Sequence, residues 1–139
     1  MSERGMTPTE RQRSVLLALE AHPFVAWVTR APSGTARRGQ YRLNLCKAGT
    51  PDLVGFLKDG RFLGVEVKSS EQAKRGGGGS RGDGVRQAQA DFARLARDSR
   101  TVYGMVISAE EAWELVNQAN RGAYTDDRPA VSDRGTTGR

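Results

Sequence analysis

The stretch Asp52-Leu53-Val54-Gly55-Phe56-Leu57-Lys58-Asp59-Gly60-Arg61-Phe62-Leu63-Gly64-Val65-Glu66-Val67-Lys68 is the most strongly patterned in the chain and decides its fold. Two apolar-rich runs, Asp52 to Leu57 and Arg61 to Lys68, meet at Lys58-Asp59-Gly60. An Asp-Gly turn between such runs predicts an antiparallel hairpin. Side chains alternate with period two along a strand, so Leu63, Val65 and Val67 share one face while Glu66 and Lys68 share the other. Two opposite charges therefore point the same way beside Asp52.

Working outward, Thr7-Pro8-Thr9-Glu10 has a cap residue, a proline at the first helical position and an acid three residues after the cap, which predicts a helix running to about Ala21. His22-Pro23 ends it. Phe24 to Ala31 reads as a strand, Pro32 to Gln40 as a polar connecting stretch, and the alternation of Tyr41, Leu43 and Leu45 as a second short strand or a strand-like loop. Residues 71–84, with Gly76 to Ser80 at their centre, are expected to form a mobile basic loop. Val85, Ala88, Phe92, Leu95 and Ala96 follow helical spacing and predict an amphipathic helix from about Val85 to Asp98. Thr101 to Ile107 reads as a buried strand, and Ser108-Ala109-Glu110-Glu111 as a capping box opening a last helix to about Asn120. The expected organisation is a flexible segment 1–6, one α/β domain over 7–120 with a mixed sheet and a central hairpin flanked by helices, and a flexible tail over 121–139.

Composition bounds the function. The chain has 139 residues, 22 Lys+Arg and 16 Asp+Glu for a net charge of +6, and 37% hydrophobic residues, which suits one soluble domain. No apolar run approaches the ~20 residues of a membrane span, and the N-terminus has no signal-peptide pattern, so a cytoplasmic protein without membrane contact is expected. A single cysteine, Cys46, and a single histidine, His22, exclude internal disulfides, thiolate zinc clusters and most histidine catalysis. Carboxylates, lysine, hydroxyls or a hard metal must carry any chemistry. Basic residues cluster in two places: Arg30, Arg37, Arg38, Arg42 and Lys47, then Lys74, Arg75, Arg81 and Arg86. Clusters of this kind suit a polyanion such as nucleic acid, and equally a solvated surface.

Asp52 and Glu66 can hold a hard divalent cation, with the Val67 carbonyl as a third oxygen donor. Mg²⁺ there would polarise a phosphoryl oxygen and lower the pKa of its water, while Lys68 orients that water or stabilises developing charge. The ordinary reading of Glu66 and Lys68 is a surface charge pair, and of Asp52 a turn acid. Helical periodicity sets Gln89 on the inward face with Val85, Ala88, Phe92 and Ala96, and Gln87 on the opposite face.

Gly49-Thr50-Pro51-Asp52 followed by Glu66-Val67-Lys68 resembles the PD-(D/E)xK nuclease signature, and the Gly-x-Pro-Asp form, the strand to Lys68 and the later glutamine helix are similar to its VRR-NUC branch. The resemblance covers about Thr7 to Val116. It implies a restriction-endonuclease-like domain in which Asp52 and Glu66 bind Mg²⁺ or Mn²⁺, Lys68 is catalytic and Gln89 completes the site. It also implies an acid near the start of the first helix, for which Glu10 and Glu20 compete, although the capping box explains Glu10 without a metal. Arg30-Ala31-Pro32-Ser33-Gly34 is similar to a loop of junction resolvases in which a serine approaches the site, which makes Ser33 a candidate DNA contact. Stand-alone members act as dimers on branched DNA.

The expected function is therefore a Mg²⁺-dependent, structure-specific DNA endonuclease, working as a homodimer on branched DNA such as Holliday junctions and needing no nucleotide cofactor, of phage, mobile-element or bacterial origin. Arg30, Ser33, Arg37, Arg38, Lys74, Arg75, Arg81 and Arg86 are the expected DNA contacts. The alternatives are a non-catalytic nucleic-acid-binding module with the nuclease fold, and a nuclease of the same chemistry acting on flaps, single strands or duplex DNA. Cys46 and His22 read as structural.

Overall fold

Thr7 sets the first element. Its hydroxyl accepts from the Glu10 N–H at 3.1 Å while the Glu10 carboxylate accepts from the Thr7 N–H at 2.9 Å, so the capping box opens helix α1 over Pro8–Ala21. His22 ends α1 in an extended conformation, and its buried ring does structural work. Nδ1 accepts from the Phe24 N–H at 3.1 Å, which leaves the proton on Nε2, 2.8 Å from Asn117 Oδ1.

The structure, a computed structural model, describes residues 5–32, 35–44, 46–75 and 83–125. After α1 come the strands β1 (Val25–Arg30), β2 (Thr35–Arg38), β3 (Tyr41–Asn44), β4 (Leu53–Leu57) and β5 (Phe62–Val67). Helices α2 (Glu71–Lys74) and α3 (Asp83–Asp98), strand β6 (Val102–Val106) and helix α4 (Ala109–Thr125) complete the chain. Four strands form a mixed sheet in the order β1-β4-β5-β6. The β1–β4 and β4–β5 pairs are antiparallel and β5–β6 is parallel. This is an α/β fold in one small domain. The predicted hairpin is β4–β5, turning at Lys58-Asp59-Gly60.

Helices α1 and α4 pack against one another and cover one face of the sheet. Val15 and Leu19 of α1 and Ala112 and Val116 of α4 meet Val28, Leu53, Leu57, Leu63, Val65 and Val106 of the strands to form the core. Each larger aliphatic side chain buried here contributes ~1.5–3 kcal/mol. Arg11 joins the two layers at one end, donating from Nη1 to the Ile107 carbonyl at 2.7 Å. Helix α3 lies on the other face beside β6, where Phe92 packs against Tyr103 with ring centroids 5.5 Å apart. That face stays open over β1 and β4: Trp27 and Phe56, paired in register, are 53% and 46% exposed.

Three expectations need correcting. Pro32 to Gln40, read as a connecting stretch, contains β2, which pairs with β3 as a separate two-stranded sheet. Gly39, with φ +61°, supplies the positive φ that a two-residue hairpin turn of type II′ takes at its first central position. The four-residue strand Thr-Ala-Arg-Arg has no apolar alternation to betray it. Within the expected loop, Glu71–Lys74 forms a helical turn whose cap, Ser70, accepts from the Ala73 N–H at 3.1 Å, while residues 76–82 lie outside the described residues. Helix α4 runs past Asn120 to Thr125, with an ion pair of 2.7 Å between Glu114 and Arg121 along its later turns. Residues 1–4 and 126–139 also lie outside the described residues. Among the described residues no helix is long and apolar enough to cross a membrane.

Candidate active site

Asp52 stands one residue before β4, held by both neighbouring strands. Its carbonyl accepts from the Ala31 N–H at 2.9 Å and its Oδ2 from the Val67 N–H at 2.8 Å. Pro51, fully buried, fixes the approach: a Cβ on Gly64 would lie 2.9 Å from Pro51 Cγ and 3.4 Å from Phe92 Cε1, so the proline ring and the α3 aromatic fill the space above a bare glycine of β5. The sheet register then brings Glu66 beside Asp52, on the face that α3 covers.

Glu66 is 2% exposed, and its Oε2 has no hydrogen-bond partner among the described residues. Burial first, then the charge of Asp52 and a hydrogen bond with it, push the Glu66 carboxyl up to about 8, against the opposing pull of Lys68. The cause is physical: two carboxylates in one desolvated place cannot both ionise cheaply without a cation. Lys68 closes the group. Its backbone N–H donates to the Val106 carbonyl at 2.8 Å, and its Nζ donates to Gln89 Oε1 at 3.3 Å. The half-buried Gln89 therefore faces the site from α3, whereas Gln87 is exposed and bonds Asp91 at 2.9 Å along the outer surface.

Gly49 explains why the loop before Asp52 begins as it does. It has φ +89°, and a Cβ there would lie 2.5 Å from the Ala88 carbonyl oxygen of α3. The acid-bearing loop and the glutamine-bearing helix touch through this glycine. Gly49→Ala should destabilise the protein by about 2 kcal/mol or more, since backbone, not a flexible side-chain end, must move. The same displacement would separate Gln89 from Lys68. Urea unfolding checks the first effect, and loss of site function at temperatures where the variant is still folded checks the second.

The remaining candidates are placed as follows. Glu10 is exposed and held in its capping box; Glu20 is exposed on the last turn of α1. Among the described residues no group of three or more His, Cys, Asp or Glu converges, so Asp52 and Glu66 stand as a pair. Val67 meets Asp52 through its N–H. Arg30 is exposed at the end of β1, and Arg75 and Arg86 are exposed on α2's C-cap and α3. Lys74 already has two carboxylate partners, Glu71 at 3.1 Å and Glu111 at 2.9 Å, and the Glu111 bond holds its ammonium above the ordinary value. The register of β2 and β3 sets Arg37 opposite Arg42 and Arg38 opposite Tyr41. Ser33 and Arg81 lie outside the described residues.

One residue at the site has no local signal in the sequence. Tyr103 pairs with Gly64 across the β5–β6 ladder, one alternation from Met105, which pairs with Glu66. Its hydroxyl is buried and has no hydrogen-bond partner among the described residues, and burial, then the charges of Glu66 and Asp52, push its pKa up. Only the register could have revealed it. Comparison with known proteins gave no match to a family model, a curated protein or a solved structure.

Proposed function

We propose that this chain is a divalent-metal-dependent DNA endonuclease with a restriction-endonuclease-like core, similar to the VRR-NUC branch of the PD-(D/E)xK nucleases. The observation that carries the reading is the buried Glu66 carboxylate, with one oxygen unpartnered, set against Asp52 and within reach of a lysine tied to a glutamine. A structural acid in such a place is expected to be neutralised by a partner. An unpaired oxygen on a crowded carboxylate pair instead fits a hard cation, and Mg²⁺ or Mn²⁺ takes such oxygen donors.

Asp52 and Glu66 would hold the ion, with the Val67 carbonyl as the third donor read from the sequence. When bound, it supplies Lewis-acid polarisation of a phosphodiester and a more acidic water. Lys68 brings a positive charge to the reacting phosphate, and Gln89 fixes the direction of its ammonium. The net charge of +6, with Arg37 and Arg42 at paired positions of the β2–β3 ribbon, suits a polyanion. Branched DNA is the preferred substrate in this reading, and a homodimer would supply the two sites that a symmetric junction needs.

The test is cleavage of labelled four-way junction, flap, duplex and single-stranded DNA with Mg²⁺, Mn²⁺ or EDTA, comparing the natural chain with Asp52→Asn. Cleavage that needs metal and is lost in Asp52→Asn supports the nuclease, and the preferred shape names its substrate. Salt-sensitive binding of every substrate without cleavage under any metal overturns it in favour of a non-catalytic binding module.

A further inference from the structure

Among the described residues, three buried side-chain polar atoms lack a hydrogen-bond partner: Glu66 Oε2, the Tyr103 hydroxyl and Asn120 Oδ1. Two of the three belong to one site. Glu66 and Tyr103 stand on adjacent parallel strands, one alternation apart in register, on the face that Phe92 of α3 packs against. One orphan is an acceptor and the other a donor, because the phenol keeps its proton in the field of two carboxylates. No hydrogen bond joins them, so each is open to a third species that accepts from the phenol and meets the carboxylate.

We propose that the Tyr103 hydroxyl and Glu66 Oε2 flank a water site, and that Tyr103 is a positioning residue for the hydration shell of the cation held by Asp52 and Glu66. The inference rests on the metal-dependent reading above. Mg²⁺ and Mn²⁺ sites of this kind keep several waters, and outer-sphere partners orient them. The ring is well placed to be rigid, packed between the β5–β6 ladder and Phe92 of α3. Tyr103→Phe removes the donor and keeps the packing.

The test is Mn²⁺ titration by calorimetry and by the electron-spin signal of free Mn²⁺, on the natural chain, Tyr103→Phe and Glu66→Gln, without DNA, together with thermal melts in EDTA. The expected result is Mn²⁺ binding that is lost in Glu66→Gln and about tenfold weaker in Tyr103→Phe. The melting temperature of Tyr103→Phe in EDTA should be equal to or above that of the natural chain, because an unsatisfied buried hydroxyl has been removed. Tyr103→Phe binding Mn²⁺ as tightly as the natural chain overturns the inference and leaves the nuclease reading standing. A lower melting temperature in EDTA with unchanged affinity also overturns it, by giving the hydroxyl a purely structural role. No Mn²⁺ binding to the natural chain overturns both.

Discussion

On the nuclease proposal, Lys68→Met is expected to slow metal-dependent cleavage about 10³-fold while leaving the protein folded. The ammonium is half-buried at the edge of the sheet, where the backbone N–H that fixes its strand is bonded to Val106 regardless of side chain. Methionine keeps the aliphatic stem and removes only the charge. Two consequences for the cation oppose each other: losing a nearby positive charge favours its entry, and losing the pull of Lys68 on Glu66 makes that carboxyl hold its proton more firmly. The loss therefore falls on the chemical step. Single-turnover cleavage at saturating Mn²⁺, with circular dichroism as the control for folding, measures it. Gln89→Ala should reduce the same rate less, by about tenfold, because the ammonium remains and only its direction is freed. Cleavage by Lys68→Met within tenfold of the natural chain would reduce Lys68 to a surface partner of Glu66.

The second large effect is on stability and has an unusual sign for an acidic residue. The Glu66 carboxyl is held at about 8 in the folded chain against an ordinary value of 4.5. Below about 4.5 both folded and unfolded chains carry its proton; between there and about 8 only the folded chain does. The contribution of Glu66 to folding stability without metal should thus be fullest at the acid end and be lost as the pH rises across this window. Most surface carboxylates paired with cations do the reverse. Glu66→Gln, neutral at every pH, should abolish the fall and be more stable than the natural chain at pH 8 in EDTA. A divalent cation should restore the natural chain at pH 8 by taking the place of the proton. Urea unfolding at pH 5 and pH 8, with EDTA and then with Mn²⁺, checks both statements. An equal pH slope in the two proteins would sink the assignment of Glu66 as the buried titrating group.

The hairpin, three of the four helical starts and the face shared by Glu66 and Lys68 were legible because their causes are local. An Asp-Gly turn, two Ser/Thr caps and a period of two or 3.6 act within a dozen residues of one another. Gln89 was legible for the same reason: helical phase alone separates it from Gln87, and the two do face opposite ways. What stayed hidden depends on partners far along the chain. Gly49 is needed because of Ala88, Gly64 because of Pro51 and Phe92, and Tyr103 reaches the acids only through the β5–β6 register. Strand β2 was missed because a four-residue ribbon has too few positions for a periodic signal.

The parallel pairing of β5 and β6 divides the site by folding order. Asp52, Glu66 and Lys68 belong to one antiparallel hairpin, whose strands meet after closing a short turn. Gln89 and Tyr103 arrive only when the crossover through α3 has laid β6 alongside β5, and this closes a much longer loop at a greater entropic cost. Loop-closure entropy therefore favours pairing the two acid-bearing strands before the helix and strand that cover them. On this ordering by loop length, the expected last step of folding is the closing of the cover over an acid pair already in place.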